Sequence, residues 1–179
     1  NPLAGSNEIA LMTLDSGPGV PGVYGARWTG AGWNNMGVAA MWDTSAATST
    51  RKAIDVAYEQ NSGRAMFIYG DATALNQRFR IWNGAILTEP PTTPLVIGLM
   101  GDGTPGVAQW VRLVPQPQSN NLMYGVVDQR SDLNTRFWNG AAWDTVAAHP
   151  EHDISVEDIN DRNFDIAFET FPANLGRAW

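Results

Sequence analysis

The chain has 179 residues, of which 44% are hydrophobic and 16% charged, and its formal net charge is −7. Lys52 is the single lysine among 11 basic residues, so no cationic stripe is available to bind nucleic acid. We also expect no membrane insertion, because no apolar run approaches the roughly 20 residues that span a bilayer. Cysteine is absent, which excludes disulfides, thiolate zinc sites and cysteine nucleophiles.

The first predicted element is a strand, IALMTLD, which ends at Asp15. Similar runs end at Asp71 and Asp128, at spacings of 56 and 57 residues. Each run is followed by a tryptophan with a glycine two residues later, and these tryptophans are 54 and 56 residues apart. The markers therefore indicate an internal repeat of about 55 residues. The repeated pairs are Trp28 with Gly30, Trp82 with Gly84, and Trp138 with Gly140.

A third marker is the run AIDVAYE at Ala53–Glu59, which is closely matched by NFDIAFE at Asn163–Glu169. QWVRLVP, from Gln109 to Pro115, is a divergent copy between them. Large apolar residues alternate with polar or small ones in both matching runs. This period of two predicts β-strands and excludes a helix.

The markers predict an all-β fold of antiparallel meander modules, arranged like β-propeller blades or as stacked sheets, with no substantial helix. The predicted modules are residues 1–52, 53–106 and 107–162, and residues 163–179 begin a fourth. Module 1 has no AIDVAYE-type strand, whereas 163–179 supplies one. We therefore consider ring closure, head-to-tail assembly by strand complementation, and a longer tandem array.

FDIAFE, AIDVAYE followed by SGRA, and WNGAAW resemble the tandem β-repeats of very large secreted bacterial and archaeal surface proteins, in which FDVAYE-like, SGRA-like and WNG-like blocks alternate. The resemblance implies an extracellular or cell-surface location. It also implies a structural or adhesive role in a filament, sheath or surface protein, with self-association or neighbouring repeats as partners. Because it supplies no catalytic residues and no G-x-S-x-G motif is present, we expect a protein that is not an enzyme and needs no cofactor.

Glycan binding is the alternative function, because exposed indoles stack on sugar rings. The recurring Trp28, Trp82 and Trp138 are expected to pack in the core or at module junctions. Trp42 and Trp110 break the repeat and are therefore the predicted sugar-stacking residues. A sugar-processing enzyme that uses a carboxylate pair is a third hypothesis.

The recurring acidic residues are expected to be structural. Asp15, Asp71 and Asp128 end strands, where a carboxylate caps the N–H groups of the next turn. Asp55, Asp165, Glu59 and Glu169 are expected to pair with arginines of neighbouring strands, such as Arg27, Arg78, Arg80 or Arg136.

The segment from Glu151 to Asp165 is rich in acidic residues. Their carboxylates are hard oxygen ligands, which suit Ca²⁺. The segment lacks the glycine spacing of an EF-hand, so calcium is a hypothesis resting on residue type alone. The candidate ligands are Asp153, Glu157, Asp158 and Asp161.

Overall fold

A computed structural model of the chain describes residues 1–15, 22–38, 41–44, 51–72, 77–90, 95, 106–145, 152, 156 and 159–169. Within these residues the fold is all-β, with strands in three antiparallel sheets and no helix. The predicted fold class of stacked antiparallel sheets is confirmed. No described segment is a helix with the length and apolar character of a membrane span.

The strands of each sheet are consecutive along the chain. The first sheet contains β1 (Ile9–Asp15), β2 (Gly22–Trp28), β3 (Trp33–Asn34) and β4 (Met41–Asp43). The second contains β5 (Ile54–Tyr58), β6 (Ala65–Gly70), β7 (Gln77–Trp82) and β8 (Leu87–Thr88). The third contains β9 (Ala108–Pro115), β10 (Leu122–Asp128) and β11 (Leu133–Trp138).

The second and third sheets are meanders, because each of their strands pairs with the next one along the chain. The first sheet departs from this order. β3 and β4 both pair with β2, and Met41 of β4 lies opposite Tyr24. The two short strands therefore pair with different parts of β2: β3 with Arg27 and Trp28, and β4 with Val23 and Tyr24.

The second sheet lies between the other two, and β6 is buried along its whole length. Ala65, Phe67 and Tyr69 belong to a cluster shared with the first sheet. Met66 and Ile68 belong to a cluster shared with the third sheet. Because side chains alternate between the faces of a strand, β6 supplies both interfaces of the stack.

The same turn follows the tryptophan in all three sheets. The glycine has a φ between 87° and 93°, a conformation in which glycine carries no steric penalty. The residue before it accepts hydrogen bonds, through its side-chain oxygen, from the N–H groups two and three residues further on, at 2.9 to 3.4 Å. The three pairs are Thr29 with Gly30, Asn83 with Gly84, and Asn139 with Gly140.

The segment Asn163–Glu169 lies outside the three sheets, and Phe168 within it forms a β-bridge. It lies against the outer face of the third sheet, where a Cβ atom on Gly125 would be 2.7 Å from Phe164 and 2.8 Å from Ile166. The rest of the predicted fourth module, residues 170–179, is outside the described residues.

Candidate functional site

A buried carboxylate joins the second sheet to the third. Glu59, which is 1% exposed, follows β5 and accepts a hydrogen bond from the indole N–H of Trp138 at 2.8 Å. Arg64 pairs with the same carboxylate through Nε at 2.7 Å and Nη2 at 2.8 Å. The Ser62 hydroxyl also donates to it. Each oxygen of this desolvated carboxylate is therefore hydrogen-bonded, as a buried charge requires.

The first and second sheets meet through a matching contact. The indole N–H of Trp82 donates to Glu8 Oε2 at 3.0 Å, and Arg27 Nη1 donates to the same oxygen at 2.9 Å. The Arg27 guanidinium also lies 4.4 Å from the centre of the Trp82 ring, as a cation–π contact. At both junctions, a glutamate paired with an arginine of its own sheet accepts the indole N–H of the next sheet.

Hydrogen bonding determines the ionisation of Glu8. Burial alone would raise the pKa of Glu8, but hydrogen bonds from Trp82, Arg27, Asn1 and Tyr58 outweigh burial and lower the pKa below its usual value. The Tyr58 hydroxyl donates to Glu8 Oε1 at 3.2 Å. Burial, followed by the charge of Glu8, raises the pKa of Tyr58. The carboxylate is thus held ionised between the two sheets.

In both junctions the carboxylate accepts hydrogen bonds from groups of two sheets. Such directional bonds add to the apolar packing between the sheets. Glu8 lies outside the recurring runs, so no repeat marker identifies it. Glu59 is the last residue of the AIDVAYE run, and Glu169 is the last residue of the NFDIAFE run. This recurrence is the sequence feature that pointed to Glu59.

The tryptophan of the first sheet lies in a different environment. Trp82 and Trp138 are buried, whereas Trp28 is half-buried and its N–H has no hydrogen-bond partner among the described residues. Its ring contacts Trp33 edge-on, with centroids 5.8 Å apart. Trp28 is less buried than Trp82 and Trp138 because it points away from the second sheet and no described strand covers that face of the first sheet.

We call this uncovered side of the first sheet the open face. Ile9, Leu11, Trp33 and Met41 are each between 42% and 55% exposed, and they account for four of the six large apolar side chains exposed among the described residues. A hollow of about 100 Å³ lies beside Leu11 and Tyr24. The open face consists of Ile9, Leu11, Tyr24, Trp28, Trp33 and Met41.

The three strand-end aspartates have different partners. Asp128 accepts hydrogen bonds from the backbone N–H groups of Arg130 at 2.8 Å and Asp132 at 3.2 Å, so it caps the turn after β10. Asp71 is buried and accepts from Arg78 Nε at 2.8 Å, which raises the pKa of Arg78. Asp15 is exposed at the end of β1.

Asp55 and Asp165 both form an ion pair with an arginine, as expected, but the arginine is Arg112 of β9, which lies 3.9 Å from Asp55 and is not one of the four named as examples. Asp55 pairs with Lys52 at 2.9 Å and accepts the backbone N–H of Leu113 in β9 at 2.8 Å. Asp165 pairs with Arg112 at 3.0 Å. The N–H of Ile166, followed by Arg112, lowers the pKa of Asp165. The partners come from the strands packed alongside, which residue type alone does not identify.

The sugar-stacking prediction is corrected for Trp42. This residue is 8% exposed, and its ring packs edge-on against Phe67 with centroids 5.0 Å apart. Gly25 lies directly beneath the ring. Trp42 therefore fills the interface between the first and second sheets and has no face open to a sugar. Trp110 is half-buried and donates its indole N–H to the carbonyl of Ile159 at 2.8 Å.

Of the four predicted calcium ligands, Asp161 is described and exposed. Asp153, Glu157 and Asp158 lie outside the described residues. Within the described ranges, no group of three or more His, Cys, Asp or Glu side chains is placed to hold a metal ion.

Comparison with protein-family models, curated proteins and solved structures finds no match to this chain.

Proposed function

We propose that the chain is a structural repeat module of an extracellular filament, sheath or large cell-surface protein, and that it self-associates head to tail. The observation that carries this proposal is the repeated junction. Glu8 with Trp82 and Glu59 with Trp138 join successive sheets through the same two groups, a carboxylate and an indole N–H, although Glu8 precedes β1 and Glu59 follows β5. A repeat protein is stabilised by such nearest-neighbour interfaces, and the same contacts extend it when units are added.

The open face supports self-association. Large contiguous apolar patches are uncommon on monomeric soluble proteins and usually mark an interaction surface. Here Ile9 and Leu11 lie on β1 and Trp33 lies on β3, on the two sides of β2, and all three are exposed on the same face. Covering these side chains would remove their apolar surface from water, which drives association.

Sedimentation velocity over a wide range of protein concentration, with electron microscopy of the most concentrated samples, tests the proposal. We expect a rising sedimentation coefficient and linear particles of variable length. Uniform monomers at every concentration would count against a self-associating structural role.

Glycan binding is retained as a second candidate because of Trp33. This residue is 52% exposed and lies beside Trp28, and exposed indoles can stack on sugar rings. A glycan array would compare the wild type with Trp33→Ala and Trp110→Ala, using Ile86→Ala as a matched control at an exposed apolar position. Reproducible binding that only a tryptophan variant loses would favour this candidate over the structural role, and an array without binding would remove it.

A further inference from the structure

The turn after the repeated tryptophan carries a reactive pair of residues in the second and third sheets. Asn83 with Gly84 and Asn139 with Gly140 are the Asn–Gly pairs of the chain, whereas the first sheet has Thr29 before its glycine. The side-chain amide of an asparagine is open to attack by the backbone nitrogen of the next residue, which closes a cyclic imide. A glycine hinders this attack least, because it has no side chain. The turn itself does not require the asparagine, since Thr29 forms the same hydrogen bonds.

The amide oxygen of Asn83 lies between two backbone donors. Oδ1 accepts hydrogen bonds from the N–H groups of Ala85 at 3.0 Å and Ile86 at 2.9 Å. Negative charge develops on this oxygen when Cγ is attacked, and N–H groups at such distances stabilise that charge as an oxyanion hole does. The turn therefore favours attack on the amide that it holds.

The Asn83 turn is also open to solvent. Asn83, Gly84, Ala85 and Ile86 are all exposed, and a Cβ atom on Gly84 would meet nothing within 4 Å. Water therefore reaches the amide, and the Gly84 peptide has space to turn toward Cγ. Ring closure requires this space, because the reacting atoms must approach to about 3–3.5 Å.

The Asn139 turn has the same donors but a restrained glycine. Oδ1 of Asn139 accepts from the N–H groups two and three residues further on, at 2.9 Å each. Gly140 is half-buried, and a Cβ atom there would lie 2.9 Å from Asn120. The carbonyl of Gly140 accepts a hydrogen bond from Arg64 Nη2, and Arg64 is paired with the buried Glu59. Rotation of the Gly140 peptide would disturb these contacts.

We propose that Asn83 is a site of spontaneous deamidation in the folded chain, whereas the contacts of Gly140 protect Asn139. The Gly84 nitrogen gives up its proton to solvent hydroxide and bonds to Asn83 Cγ. The Cγ–Nδ2 bond then breaks, and Nδ2 leaves as ammonia after taking a proton from water. Water opens the cyclic imide at either carbonyl, which yields aspartate or isoaspartate at position 83. This inference does not depend on the proposed function.

The modified residue is next to the junction of the first and second sheets. Trp82 precedes it and donates its indole N–H to Glu8, and Leu87 lies opposite Trp82 in β8. Isoaspartate continues the chain through its side-chain carbonyl, which inserts a methylene group into the backbone between β7 and β8. It also removes the side-chain acceptor of the turn. Deamidation at Asn83 therefore alters the hairpin that positions the tryptophan of this junction.

Peptide mapping measures both sites in one sample. Trypsin cleavage at Arg80 and Arg112 releases residues 81–112, in which Asn83 is the sole asparagine, and conversion of its amide to a carboxylate raises the peptide mass. Fragment-ion sequencing separates Asn139 from Asn160 in the peptide that holds both. In native protein at mildly alkaline pH, we expect Asn83 to react at least about tenfold faster than Asn139.

Unfolding in urea is the matched comparison. It removes the contacts of Gly140, so the two rates should become similar, because both asparagines precede a glycine. Equal native rates, an unreacted Asn83 in the native protein, or a difference that persists in urea would overturn the inference.

Two variants test the cause of the difference. Asn83→Thr introduces the residue of the first-sheet turn, so residues 81–112 should keep their mass, and a mass gain that persists would place the reaction elsewhere and contradict the inference. Arg64→Lys keeps a charge near Glu59 but lacks the planar fork that reaches both Glu59 and Gly140. It should raise the native rate at Asn139 several-fold and leave Asn83 unchanged. An unchanged Asn139 rate in folded Arg64→Lys protein refutes the proposed protection, and if this variant does not fold, the urea comparison decides.

Discussion

At each described junction, an indole N–H donates to a carboxylate, and the carboxylate of Glu59 is buried. Trp138→Phe keeps most of the apolar ring and removes the N–H donated to Glu59, which is buried. We expect a loss of about 1.5–3 kcal/mol in the free energy of unfolding, because a hydrogen bond to a charged buried group is lost. Urea denaturation measures this loss. Trp28→Phe is the matched control, since its N–H has no described partner, and we expect a change within about 0.5 kcal/mol. Equal losses would show that the junction bond is not the cause.

The glycine after the repeated tryptophan is required by its backbone conformation. Gly84 has a φ of +93°, and a Cβ atom there would meet nothing within 4 Å. Gly84→Ala should therefore destabilise the protein by about 1–2 kcal/mol through backbone strain alone. In Gly32→Ala, a Cβ also meets nothing within 4 Å and no positive φ is involved, so we expect no loss. Thermal melts of the two variants compare them directly, and a similar loss in both would refute the explanation by strain.

At the scale of elements, β2 and β4 are held together by a close approach. Gly25 leaves room for the Trp42 ring, and an added Cβ would overlap that ring. Gly25→Ala should therefore cost about 1–3 kcal/mol of stability, as overpacking does. Combining it with Trp42→Leu should recover part of that loss, because the smaller side chain makes room for the methyl group. A double-mutant cycle in urea measures the coupling between the two sites, and purely additive losses would contradict the predicted overlap.

For the whole molecule, the Glu8 junction predicts how stability depends on pH. The pKa of Glu8 is lower in the folded chain than its usual value of 4.5, so the unfolded chain binds the proton more readily. The stabilisation is fully present above about pH 4.5 and is lost as the pH falls through the lower folded pKa. Glu8→Gln should flatten the acid limb of a plot of unfolding free energy against pH. An unchanged limb would show that other carboxylates dominate it.

The alternation of apolar with polar residues and the recurrence of the strand and Trp-x-Gly markers were sufficient to predict the all-β fold class. A strand that buries one face requires apolar residues at every second position. The AIDVAYE run forms β5, and the recurring tryptophans end β2, β7 and β11. The short β4 carried no such signal. Its three residues, Met41–Asp43, are too few for a period to be recognised, so its pairing with β2 depends on contacts made after folding.

Residue type and spacing by themselves determined the strand pattern and the Trp-x-Gly turns, because both depend on residues close together in the chain. Only the tertiary structure decided which side chains are buried and which carboxylate meets which indole. Trp42 was predicted to be exposed because it breaks the repeat, yet it fills the space that Gly25 leaves between two sheets. Trp28 matches Trp82 and Trp138 in sequence but differs from them in burial, because burial depends on whether a neighbouring sheet covers the same face, and that neighbour is distant in the chain.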